Sequence, residues 1–110
     1  MTDKYFIHVK STGDDSVDEY REIDGERVLE KVFPELDLFV HHVINRFGEL
    51  PEWVVSEGKS GSALGETEAD TKEKAILLAL DVVIKMGVSH IITASKRMVT
   101  KHGLSPKHVL

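Results

Sequence analysis

The sequence predicts an α+β fold: a small antiparallel sheet packed on one long helix over residues 71–86, with a short helix over 26–33. Three observations carry this expectation. Segments of β-branched and aromatic residues, several with period-two alternation, occupy the first half of the chain. One later stretch, "TKEKAILLALDVVIKMG", joins a capping signal to an apolar helical run and ends on glycine. Between these lies "GKSG", whose glycines suit a tight turn. At 110 residues the chain has the length of one hydrophobic core, and residues 1–94 are expected to hold it, with 95–110 a basic C-terminal segment.

The elements follow in order. In "KYFIHVK" (4–10), Tyr5, Ile7 and Val9 share one face and Phe6 and His8 the other, so this reads as a strand. The turn-formers "STGDDS" break it, and "VDEYREI" (17–23) reads as a second, largely exposed strand. Asp24-Gly25 is a hairpin signal, yet Val28, Leu29, Val32 and Phe33 recur at helical spacing and Asp24 can cap. The short helix over 26–33, closed by Pro34, is the preferred reading. Residues 36–44, "LDLFVHHVI", fit either a helix begun at Pro34 or a strand with Leu38, Val40, His42 and Ile44 on one face. A strand is favoured because it can pair with the strand-like "EWVVSEG" (52–58).

"GKSG" resembles part of a phosphate-binding loop, but Trp53 stands where the first glycine of that motif belongs. No helix starts directly after it, and Glu57, Glu66, Glu68 and Asp70 would repel a phosphate. It reads as the turn between "EWVVSE" and "SALGET". Asp70 and Glu73 have capping-box spacing, and Gly87 is a natural helix stop. The intervening helix is apolar nearly all round, from Ala75 to Ile84, which implies burial on more than one side or self-association. "VSHIITA" (88–94) is expected to be a further strand.

Composition excludes several chemistries. Without cysteine there is no disulfide framework, thiolate zinc site or cysteine nucleophile. Apolar runs are too short to span a bilayer and the N-terminus lacks a secretory pattern, so a cytoplasmic chain without a membrane partner is expected. Six histidines are present, but none has His-Glu-x-x-His or His-x-x-x-His spacing, and adjacent His41 and His42 point apart in either regular structure. No Gly-x-Ser-x-Gly elbow occurs. The chain is read as non-enzymatic, with no catalytic residues, metal or cofactor. Trp53, the single tryptophan, is expected to pack on the long helix.

Charge is uneven. Between residues 14 and 37 ten acidic side chains face only Arg21, Arg27 and Lys31. Beyond Asp81 there is no acid, while Lys85, Lys96, Arg97, Lys101 and Lys107 are cationic. Asp14, Asp15, Asp18 and Glu19 are the candidate contacts for a basic protein partner. Lys96, Arg97, Lys101 and Lys107 are the candidate contacts for nucleic acid.

The residues His42-Val43, Trp53-Val54-Val55 and Thr71-Lys72-Glu73-Lys74-Ala75-Ile76 give the middle of the chain a pattern that resembles a group of small bacterial and phage domains. The resemblance implies a hairpin–helix–strand order and lends no catalytic residues. Lys72 and Lys74 are also similar to the phosphate-contacting lysines of double-stranded-RNA-binding domains, although Glu66, Glu68, Asp70 and Glu73 surround them. The resulting expectation is a bacterial or phage protein-interaction or regulatory module with an unknown partner, self-associating as a homodimer. The alternative is a nucleic-acid-binding module acting through its basic end.

Overall fold

The computed structural model describes residues 2–10, 18–45 and 48–102. Four strands, β1 (Asp3–Lys10), β2 (Asp18–Val28), β3 (Leu38–Asn45) and β4 (Gly48–Glu57), form one antiparallel sheet in chain order. Two helices follow, α1 (Lys72–Met86) and α2 (Val88–His102), and α1 lies on β4 and β3. The fold is α+β.

No short helix occupies 26–33. The β2 strand continues through Asp24-Gly25, pairing with β1 as far as Gly25 and with β3 from Glu26 to Val28. Gly25 marks this change of partner, and neither turns nor caps. A Cβ there would come within 2.9 Å of the Phe39 ring and 3.0 Å of the Tyr5 ring, so glycine lets both rings press on the strand. The apolar spacing that mimicked a helix comes from a turn. Leu29 takes a positive φ of 58°, and Phe33 N–H donates to its carbonyl at 2.8 Å. Val28, Leu29 and Phe33 turn towards the core while Val32 is exposed.

Residues 36–44 are largely strand. Leu38 and Val40 face α1 and join Val28, Leu36, Val55, Ala75, Ala79, Val83 and Ile91 in the main core. Phe39 lies in a second cluster with Tyr5, Ile7 and Ile23. Both faces of β3 are therefore buried, which erased the polar alternation that would have marked a strand.

The expected partner strand "SALGET" is reduced to two isolated bridges, Ser56 with Ala63 and Trp53 with Ala69. Between them Thr67 substitutes side chain for backbone. Its Oγ1 accepts from Val55 N–H at 3.2 Å and donates to the Leu64 carbonyl at 2.8 Å. The outer edge of β4 is thereby covered without a fifth strand.

The cap of α1 is Thr71 rather than Asp70: its Oγ1 accepts from Lys74 N–H at 3.2 Å. Gly87 ends the helix at φ 89°, its N–H donating to Val83 at 2.8 Å. The expected strand over 88–94 is instead the first half of α2, which leaves α1 at 99°. Val88, Ile91, Ile92, Ser95, Met98 and Val99 recur at helical spacing and are its less exposed residues. The 94/95 boundary between core and basic segment falls inside this helix.

Candidate functional site

Three local arrangements invite a chemical reading, and the "GKSG" turn is the first. Glu57, buried at the end of β4, accepts from Lys59 N–H at 2.7 Å, Ser60 N–H at 3.0 Å and the Ser95 hydroxyl at 2.5 Å. The amides that a phosphate-binding loop would present to its ligand are held by the chain's own carboxylate. The same carboxylate ties α2 to the sheet. Beside it, a groove of about 320 Å³ runs between α1 and α2, walled by Leu64, Val82, Met86, Ile91 and Met98.

The second is a serine–histidine pair. His41 Nδ1 lies 2.6 Å from the His42 carbonyl, and Nε2 lies 2.7 Å from Ser56 Oγ. A carbonyl only accepts, so Nδ1 carries the proton and Nε2 accepts the serine hydroxyl. This is the bond that activates a serine nucleophile, but Ser56 is 1% exposed and His41 4%. Burial pushes the His41 imidazole down to about 4. The pair is a satisfied element of the second core cluster, closed to substrate.

The third is the β3–β4 hairpin. His42 stands opposite Trp53 in register, with ring centroids 3.7 Å apart, and Trp53 packs on the main core. Lys72 Nζ sits 5.9 Å from the tryptophan ring and forms an ion pair with Glu26. Lys74 pairs with Asp70 at 3.1 Å. Both lysines that resemble RNA-contacting residues are thus neutralised by neighbouring acids. Among the described residues, no three histidine, aspartate or glutamate side chains converge to hold a metal ion.

Of the acidic candidates, Asp14 and Asp15 lie outside the described residues. Asp18 and Glu19 are on β2, opposite Lys10 and Val9. Further along the acidic segment, Asp24 pairs with Lys4 at 2.6 Å and Asp37 with Arg27 at 3.7 Å. Of the basic candidates, Lys107 lies outside the described residues. Lys96, Arg97 and Lys101 are exposed on α2, and none forms an ion pair with a described residue.

The outer face of α1 was legible only as an excess of apolar residues. Ala75, Ala79 and Val83 face the sheet, and directly opposite stand Leu77, 64% exposed, and Ile84, 67% exposed, with Leu78 beside them. Two exposed ion pairs frame them, Lys74–Asp70 and Lys85–Asp81, the latter at 2.8 Å. The chain matches no family model, no curated protein and no solved structure. Among the described residues, no single helix is long and apolar enough to cross a membrane.

Proposed function

We propose that the protein is a non-enzymatic interaction module that associates with a second copy of itself through the outer face of α1. One observation carries the reading: Leu77 and Ile84, at i and i+7, stand out from the molecule on the side opposite the buried Ala75, Ala79 and Val83. Helix propensity does not require leucine and isoleucine there, since lysine or glutamate serves as well on a solvated face. Scattered surface leucines need no explanation, but these are aligned and bordered by charge, as the apolar centre and polar rim of an interface are. Glu57, His41 and Ser56 are engaged within the chain, in keeping with a role other than catalysis.

A single helix-pair contact is small, so the expected dissociation constant is on the order of 10 μM. In sedimentation velocity the wild type should move from the 12.3 kDa monomer towards twice that mass as concentration rises. The variant Leu77→Glu with Ile84→Glu should remain monomeric with an unchanged circular dichroism spectrum. A wild type that stays monomeric well above that concentration would sink the reading.

A second reading rests on α2. Lys96, Arg97 and Lys101 are exposed cations without ion pairs to described residues, and so are free to meet phosphates. It predicts binding to a labelled single-stranded or duplex 20-mer that weakens roughly 20- to 40-fold between about 50 and 200 mM salt, as three neutralised phosphates require. Arg97→Glu with Lys101→Glu should abolish that binding. No change in anisotropy at low salt would end this alternative.

A further inference from the structure

We infer that two copies pair α1 against α1 in antiparallel fashion, about a two-fold axis passing between Leu77 and Leu78. Lys74 of each copy then faces Asp81 of the other, and Asp70 faces Lys85. This geometry rests on the self-association reading above and specifies its orientation and register.

The order of residues along the exposed face carries the inference: Asp70, Lys74, Leu77, Leu78, Asp81, Lys85. Counted outward from the midpoint between Leu77 and Leu78, Lys74 and Asp81 stand at equal distances, about 5 Å along an axis rising 1.5 Å per residue. One step further out, Asp70 and Lys85 are again an anion and a cation. An antiparallel two-fold exchanges the two directions along the helix, so each charge meets one of opposite sign. The face is complementary to itself, as an isologous contact requires.

Other arrangements fail on the same charges. A parallel pair sets Lys74 against Lys74 and Asp81 against Asp81. An antiparallel pair shifted to seat Leu77 on Ile84 brings the Asp81 of both copies together beside the axis. Like charges pressed together in this way are among the strongest penalties against a wrong interface. In the chosen register Leu77 meets its own counterpart across the axis, as does Leu78, and Ile84 covers the aliphatic stem of Lys74 from the other copy. The intrachain pairs Lys74–Asp70 and Lys85–Asp81 become the inner halves of two four-charge networks.

The test is charge reversal, read by sedimentation equilibrium. Lys74→Glu and Asp81→Lys, each alone, should raise the dissociation constant about tenfold or more. The double variant Lys74→Glu with Asp81→Lys should return to within about threefold of wild type, because both cross-axis pairs are restored with reversed sign. Wild type mixed with the double variant should form fewer mixed dimers than the statistical proportion, since both cross-axis pairs then become like-charged. Lys74 and Asp81 side chains are 64% and 55% exposed, so neither change disturbs the core. Dimers that are indifferent to both single reversals overturn this register while leaving self-association standing. A double variant no tighter than the singles overturns it as well. A wild type that never dimerises overturns both.

Discussion

Phe39→Ala is expected to lower the unfolding free energy by about 3–5 kcal/mol, a large part of the roughly 5–15 kcal/mol that holds a domain of this size. Phe39 is fully buried, and its ring stacks on Tyr5 with centroids 4.1 Å apart and planes 11° from parallel. The His41 ring lies 5.2 Å away on the same side of the sheet. Among the described residues the buried apolar members of this cluster are Tyr5, Ile7, Ile23 and Phe39, with Ile44 packed against it, so removing the largest ring leaves a space that these neighbours fill poorly. The measurement is a denaturant midpoint at constant slope, monitored by circular dichroism. A shift equivalent to less than about 1 kcal/mol would mean that β1 and β2 do not depend on this ring.

Gly25 supplies an internal check on that result. In the wild type, Gly25→Ala forces a methyl group against Phe39 and Tyr5. In the Phe39→Ala background one of the two obstacles is gone, so the alanine should cost markedly less. Additive costs would indicate that the two residues are not in contact.

The sequence made the sheet-and-helix class readable because its clearest signals are local and chemically redundant. The α1 helix combines a cap, a glycine stop and a continuous apolar run, and all three agree. The "GKSG" turn was readable because a motif can be rejected on spacing alone. Two elements misled for opposite reasons. Over 26–33 an apolar set at helical spacing arises from a strand end and a left-handed residue at Leu29, and no sequence rule separates that from one helical turn. Over 88–94 the β-branched residues Val88, Ile91, Ile92 and Thr93 suggested a strand. The helical stripe becomes visible only when the window extends to Met98 and Val99, beyond the expected domain boundary.

The candidate surface was half legible. An excess of apolar residues in α1 was evident from the sequence, but which of them the sheet would cover was not. Helical spacing defines faces without saying which one turns inward. Here the small residues Ala75 and Ala79 turn inward, because α1 approaches the sheet closely, and the larger Leu77 and Ile84 are left outside. The Glu57 contacts were not legible at all. They join the "GKSG" turn to Ser95, 38 residues away in the chain, and no spacing rule anticipates that meeting.

Lowering the pH should destabilise this protein through His41 between about pH 6.5 and about pH 4. The imidazole is buried and neutral, held by its Nδ1–H to the His42 carbonyl and by the Ser56 hydroxyl on Nε2. Protonating Nε2 would break the bond to Ser56 and leave a charge in the apolar cluster of Tyr5 and Phe39. Burial accordingly moves the folded-state value to about 4 from an ordinary 6.5. Because the folded value is depressed, the unfolded chain binds the proton first as pH falls. The stability held at pH 7 is therefore lost progressively below about 6.5, by about 3 kcal/mol when pH 4 is reached. His41→Gln keeps a donor and an acceptor but cannot titrate in this range. Chemical denaturation at several pH values should show a steep decline for the wild type and a shallow one for the variant, so that the difference between them shifts by about 3 kcal/mol in the variant's favour between pH 7 and pH 4. Parallel declines would mean that the folded protein takes up this proton as readily as the unfolded chain, and that His41 is not buried between Phe39 and Ser56 in solution.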